Sequence, residues 1–234
     1  MSAVAIIPAR FASTRFPGKP LADATGRPLI QHVWEQVRRC ERIGRVCVAT
    51  DDDRIAAAVR RFGGEALLTR ADHPSGTDRI AEAADLLRLD DAAAVVNVQG
   101  DEPEIEPQSL DRLVDRLERD PSCPMATLAA TPPPHSDPGD PNRVKVVVDQ
   151  AGRALYFSRA RIPYPRDAGA AALAGGWLLH LGVYAYRCGL LRELARWRPT
   201  RLEQIEKLEQ LRVLEHGRSI AVEVVERAAA GVGT

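Results

Sequence analysis

Short runs of aliphatic and β-branched residues recur through the first part of the chain: AVAIIP (3–8), RVCVAT (45–50), EALLT (65–69) and AAVVNVQ (93–99). Between them, PLIQHVWEQVRRC (28–40), DRIAAAVRRF (53–62) and TDRIAEAADLLRL (77–89) place apolar residues three and four apart. Such short runs suit strands, and the three-and-four spacing draws one apolar stripe along a helix. Their alternation predicts βαβ units around a mainly parallel sheet, with strands covered on both faces. Another helix is predicted over PQSLDRLVDRLERD (107–120), which starts on Pro107 and is stopped by Pro121.

Beyond Pro132-Pro133-Pro134 the pattern changes. RVKVVVDQAGRALYFSR (143–159) alternates about a turn at Asp149–Gly152 and predicts a hairpin. LLHLGVYAYR (178–187) and SIAVEVVE (219–226) predict two more strands, and TRLEQIEKLEQLRVLEHG (200–217) predicts one helix. The Ala/Gly-rich composition of residues 168–176 predicts a loop, and no internal repeat is present in the sequence. The fold class expected is α/β: one domain over 1–234 built on a mainly parallel, Rossmann-like sheet, with an inserted antiparallel region at about 132–187.

Composition narrows the function. With 234 residues, 45% hydrophobic and 27% charged, the chain is long enough to bury a core. Lys+Arg and Asp+Glu both number 32, so no bulk positive field exists to hold nucleic acid or an anionic membrane, and any anion-binding charge must be local. No apolar run approaches the roughly 20 residues of a bilayer span, and the amino terminus lacks a signal-peptide pattern; the expectation is a cytoplasmic protein. Cys40, Cys47, Cys123 and Cys188 are scattered without metal-ligand spacing, as reduced structural thiols would be.

Three stretches carry candidate chemistry. AIIPARFASTRFPGKPL (5–21) presents Arg10, Arg15 and Lys19 on a loop stiffened by Pro8, Pro17, Gly18 and Pro20. The loop follows the first strand, at the carboxyl edge where open α/β sheets bind ligands. It matches neither GxGxxG nor GxxxxGK[ST]. Arginine forks and a mobile lysine charge suit a polyphosphate, although the stretch alone also describes a solvated basic loop. VVNVQGDEP (95–103) runs from a strand into Gln99, Gly100, Asp101 and Glu102. An acid there can serve Mg²⁺, which takes one or two carboxylates beside waters and phosphate oxygens, or can simply mark a turn. In TRADHPSGTDRIAEA (69–83), Ser75 to Asp78 can cap a helix, while the Ser75-Gly76 turn lets backbone approach a nucleobase edge with Arg70 nearby.

Taken in order, IIPARFASTRFPGKPL, VATDD, TRADHPSGTDR, VNVQGDEP, VKVVVD, ALYFSRARIPYPR, HLGVYAYR and LEQIEKLEQLRVL resemble the 3-deoxy-D-manno-octulosonate cytidylyltransferases (CMP-Kdo synthetases) from about residue 3 to residue 226. The resemblance implies a nucleotidyltransferase that moves CMP from CTP to the anomeric hydroxyl of Kdo, with Mg²⁺, as a homodimer in lipopolysaccharide biosynthesis. It implies that Arg10, Ser13, Arg15 and Lys19 hold the CTP phosphates, with Arg15 and Lys19 stabilising the departing pyrophosphate. Arg70, Ser75 and Gln99 would contact nucleotide or sugar, and Asp101 would ligate Mg²⁺. Arg159, His180, Tyr184, Glu209 and Gln210 match positions of the sugar pocket. The family pattern continues past the last strand with a VDTPEDL-like segment whose first aspartate completes the metal site. This sequence reads AAAGVGT there, so only Asp101 is matched to the metal. Two alternatives stay open: a cytidylyltransferase for a related acidic sugar, 8-amino-Kdo or sialic acid, and a CTP- or sugar-binding protein without turnover.

Overall fold

Each of the four apolar runs forms a strand in the computed structural model, which describes residues 2–12, 16–166 and 176–226. They are β1 (Ala3–Ala9), β2 (Ile43–Thr50), β3 (Glu65–Leu68) and β4 (Ala94–Asn97), all parallel and ordered β3-β2-β1-β4. Helices α1 (Leu29–Val37), α2 (Asp53–Arg61) and α3 (Gly76–Leu86) alternate with them. Ala5, Ile6, Ile7, Cys47, Val48, Val95 and Val96 are fully buried, as two-sided cover requires. The edge strand β3 departs from that expectation: its residues are half-buried, and Leu68 is 48% exposed. With a neighbour on one side only, it cannot be covered as the inner strands are.

The described residues fall into two compact units, within 1–115 and 185–196 and within 116–184 and 197–228. The chain passes between them inside α4 (Pro107–Arg119) and inside the strand over 178–187. In the second unit, β5 (Met125–Ala130) pairs in parallel with the last strand, Ile220–Val225. Between these in sequence, β6 (Lys145–Val148), β7 (Ala154–Ser158) and β8 (Leu178–Arg187) supply antiparallel pairings, β6 with both β7 and β8; Ile220–Val225 is β9. The expected hairpin is present. Asp149 Oδ1 accepts the N–H groups of Ala151 and Arg153, each at 2.8 Å, and Gly152 adopts the left-handed φ of 72° that closes the turn. The fold is thus mixed α/β, mostly parallel with an antiparallel set.

Two elements escape the sequence pattern. β5 reads MATLAA, with too few β-branched residues to declare a strand, and α5 (Cys188–Arg196) starts on the residue after β8 with no turn signal between. The single helix predicted over 200–217 is two, α6 (Arg201–Glu206) and α7 (Gln210–Glu215), split at Lys207 with φ 55°. No Gly or Pro marks the break. It is held from outside the helix: the Arg159 guanidinium donates to the carbonyls of Glu206 at 2.7 Å and Lys207 at 3.4 Å.

Candidate active site

In the first unit, parallel register pairs Ala9 with Thr50 and Ile6 with Asn97, so the loops after β1, β2 and β4 leave at one edge. Gly100 permits the last of these exits. A Cβ there would stand 3.3 Å from the Pro8 carbonyl oxygen and 3.4 Å from Ile30 Cδ1, tighter than side chains normally tolerate. Arg10, Ser75 and Gln99, three of the predicted positions, consequently line one cleft of about 180 Å³ with Pro8, Ala9 and Gly76. Ser75 also caps α3, its hydroxyl accepting Asp78 N–H at 3.2 Å, so the structural and functional readings of that residue coexist.

Arg79 and His73 line the same cleft without having been singled out in the sequence. Arg79 is 4% exposed, donates to Thr69 Oγ1 at 2.6 Å and stands 3.3 Å from Asp51 Oδ1. The signal available was a cation on the buried stripe of α3, beside Ile80, Ala83 and Ala84. Glu82, one turn on, accepts the backbone N–H of Arg70 at 3.0 Å and pairs with His73. Burial works against ionisation of Glu82, yet those hydrogen bonds prevail and hold its carboxyl below the usual range. The loop before α3 is therefore gripped at Thr69, Arg70, His73 and Ser75 by the first turns of its own helix. Arg70 itself turns away. Its side chain pairs with Asp72 at 3.4 Å and borders a different cleft with Arg192 and Arg196.

Gly18 closes the cationic loop by donating its N–H to Phe11 O at 2.9 Å. Its φ of 73° and the 2.9 Å approach of Phe11 Cε2 to a hypothetical Cβ leave room for glycine alone. The chain then makes a 3-10 turn at Lys19–Leu21, and Lys19 Nζ donates to Asp101 Oδ2 at 2.8 Å. The cation from the first motif and the acid from the second, 82 residues apart, thus meet directly. Lys19 is largely covered, with 16% of its side chain exposed, whereas Asp101 keeps 46% of its own open. Next to it, burial and the Asp101 charge push the Glu102 carboxyl up to about 7. Ser13 and Arg15 lie outside the described residues. Among the described residues no group of three or more His, Cys, Asp or Glu side chains could hold a metal ion, so a cation here would rely on Asp101, water and substrate oxygens.

The predicted sugar residues Arg159, His180, Tyr184, Glu209 and Gln210 all lie in the second unit. Arg159 is fixed by four contacts: its N–H on Glu206 Oε2 at 2.8 Å, Nη1 on Pro141 O at 2.8 Å, and the two carbonyls that break the helix. Lys145, wholly buried, donates to the carbonyls of Asp140 at 3.0 Å and Arg159 at 2.5 Å, and its desolvation lowers the ammonium pKa. His180 lies with Phe157 edge-on at 4.8 Å and Tyr184 tilted at 5.5 Å. Burial, with 8% of the residue exposed, pushes the imidazole down to about 3, which makes it neutral at physiological pH. Glu209 stands at the N-cap position of α7, and Gln210, 4% exposed, has an Nε2 with no hydrogen-bond partner among the described residues.

Known proteins resemble the chain over nearly its whole length. A family model for cytidylyltransferases matches residues 4–220. The chain is 56% identical to a 3-deoxy-manno-octulosonate cytidylyltransferase of Syntrophobacter fumaroxidans, over 100% of this chain and 93% of that protein. It is 52% identical to one from Aliivibrio salmonicida, over 100% and 95%. Among solved structures, it resembles a CMP:2-keto-3-deoxy-manno-octonic acid synthetase complexed with CTP, with a TM-score of 0.92, 43% identity and coverage of 100% and 94%. The fold alone is shared with a 4-diphosphocytidyl-2C-methyl-D-erythritol synthase, 12% identical with a TM-score of 0.64 over 100% and 93%. With its cationic loop, its strand-end acid and its cleft at the carboxyl edge of the sheet, the chain belongs to the cytidylyltransferase family.

Proposed function

We propose that the protein transfers CMP from CTP to the anomeric hydroxyl of Kdo, releasing pyrophosphate, and so supplies CMP-Kdo for lipopolysaccharide biosynthesis. The observation that carries this reading is the meeting of Lys19 with Asp101 at the edge where Arg10, Ser75 and Gln99 share a cleft. The curated relatives quoted above bear the corresponding name.

Attack of a sugar oxygen in line on the α-phosphorus asks a protein for positioning and charge neutralisation. Arg10 and Lys19 offer the triphosphate a planar fork and a point charge, with Arg15 extending the set. Lys19 needs no search for its place, since Gly18, the following 3-10 turn and Asp101 orient it beforehand. In the second unit, Arg159 and Gln210 bring donors to an acidic, polyhydroxylated acceptor, while neutral His180 and Tyr184 suit hydroxyls.

Asp101 fits Mg²⁺, because a half-exposed carboxylate leaves space for the waters and phosphate oxygens that complete its octahedron. When bound, the ion supplies charge neutralisation at the phosphate and acidifies the attacking hydroxyl. A homodimer built by the second unit is part of the same proposal. Val146, Val148, Pro163, Trp177 and Leu178 line an apolar groove, and Leu155 and Tyr164 are 62% and 78% exposed. A cytoplasmic location is supported by four buried, unpaired cysteines and by the absence, among the described residues, of a helix able to cross a membrane.

The test is pyrophosphate release from CTP and Mg²⁺ with Kdo, 8-amino-Kdo and sialic acid offered separately. Turnover with Kdo supports the proposal. Preference for 8-amino-Kdo or sialic acid would reassign the sugar, and CTP binding without release in any arm would leave only a binding protein.

A further inference from the structure

Thr127 lies in β5, the strand that the sequence pattern does not declare, and is fully buried. Its hydroxyl has two partners: the Val183 carbonyl oxygen at 2.8 Å and His180 Nε2 at 3.0 Å. A hydroxyl has a single hydrogen to donate, and a carbonyl can only accept. The Thr127 hydrogen is therefore spent on Val183, and Oγ1 turns a lone pair toward the imidazole. His180 Nε2 must carry a hydrogen to complete that contact. In a neutral ring, Nδ1 is then an unprotonated acceptor, and among the described residues it has no hydrogen-bond partner of its own. The ring has little freedom to exchange roles by flipping. Phe157 and Tyr184 flank it, and the His180 backbone N–H is held by Val144 O at 2.9 Å.

We propose that Thr127 is a positioning residue that locks His180 in the Nε2–H tautomer, so that Nδ1 accepts a hydrogen bond from a hydroxyl of the acceptor sugar. This rests on the assignment of His180 to the sugar site. The chemistry is selective in sign. An acceptor nitrogen welcomes a hydroxyl and repels a carboxylate, so the acid group of the sugar is directed away from His180. A threonine behind a histidine would thereby orient the sugar without touching it.

The experiment is long-range ¹H–¹⁵N correlation of the full-length, ¹⁵N-histidine-labelled protein at pH 7, with the His180 signals identified by their loss in His180→Phe. Expected for the wild type are a pyrrole-type Nε2 and a pyridine-type Nδ1. Thr127→Ser should keep that pattern. Thr127→Val should shift it toward the other tautomer and raise KM for Kdo on the order of tenfold, with KM for CTP unchanged. A protonated Nδ1 in the wild type overturns the role of Thr127, whether or not Thr127→Val folds, and so does an unshifted spectrum in a folded Thr127→Val. An unchanged KM for Kdo in His180→Phe overturns the sugar assignment instead, and with it the use of Nδ1, while the wild-type tautomer pattern would stand.

Discussion

Asp101 and Lys19 show how much chemistry one contact can concentrate. Their 2.8 Å pairing leaves almost half of the Asp101 side chain open, so the carboxylate is accessible and the pair adds little to the stability of the fold. Asp101→Asn should unfold at nearly the wild-type temperature but lose about 10²- to 10³-fold in kcat at limiting Mg²⁺, because an amide cannot offer the charge that holds a cation. Wild-type turnover under those conditions would exclude Asp101 as a metal ligand. Lys19→Ala should raise KM for CTP and leave KM for Kdo nearly unchanged; Lys19→Arg should restore it in part, since a broader fork must fit between Gly18 and Pro20. Paired kinetics, varying each substrate at saturation of the other, separate the two, and a defect confined to Kdo would move the loop to the sugar. At this scale, legibility depended on exposure. Arg10, Ser75, Gln99 and Asp101 are polar groups at the ends of apolar runs or at a helix cap, where sequence reading looks for ligands. Arg79 and Thr127 sit at buried positions of regular elements, and nothing local shows which side chain they will meet.

Elements carry two groups with separate acid windows. His180 is held at about 3, against an ordinary value of 6.5, by burial. Its lowered pKa means that the unfolded chain binds the proton first, so stability falls as pH drops from 6.5 toward 3, by at most about 1.4 kcal/mol per pH unit. Asp120, just beyond α4, is held at about 2, against 3.8, chiefly by the Ser122 hydroxyl at 2.5 Å, with Arg153 adding its charge. A depressed carboxyl stabilises above its unfolded pKa, and that contribution is lost as pH falls from about 4 toward 2. Urea midpoints measured from pH 7 to pH 3 should therefore decline less steeply in His180→Phe between 6.5 and 3. Asp120→Asn should lower the midpoint at pH 7 and flatten only the most acidic part; an unchanged slope there would mean that the Asp120 contacts are not formed in solution. The βα alternation needed no tertiary information, because buried stripes repeat with the period of the element that bears them. The division between α6 and α7 did need it: Arg159 directly follows β7, and its bonds to the carbonyls of Glu206 and Lys207 meet a left-handed turn at a lysine that no local propensity favours.

For the whole molecule, the proposed homodimer predicts sedimentation as a dimer at micromolar concentration. Leu155→Asp combined with Tyr164→Asp should shift the protein to a monomer while far-ultraviolet circular dichroism stays unchanged, since both side chains are exposed in the single chain. A wild-type monomer at that concentration would discard the dimer. Sequence alone determined the βα order of the first unit, the hairpin, and the presence of cations and an acid at strand ends. These depend on periodicity, turn chemistry and the rule that parallel strands deliver their following loops to one edge. Tertiary structure decided that Lys19 would meet Asp101, that Arg70 would face a different cleft from Arg10, and that Thr127 would stand behind His180. The first and the last are hydrogen bonds between residues 82 and 53 apart in the chain, and one residue of shift in strand register would exchange the groups that face each other.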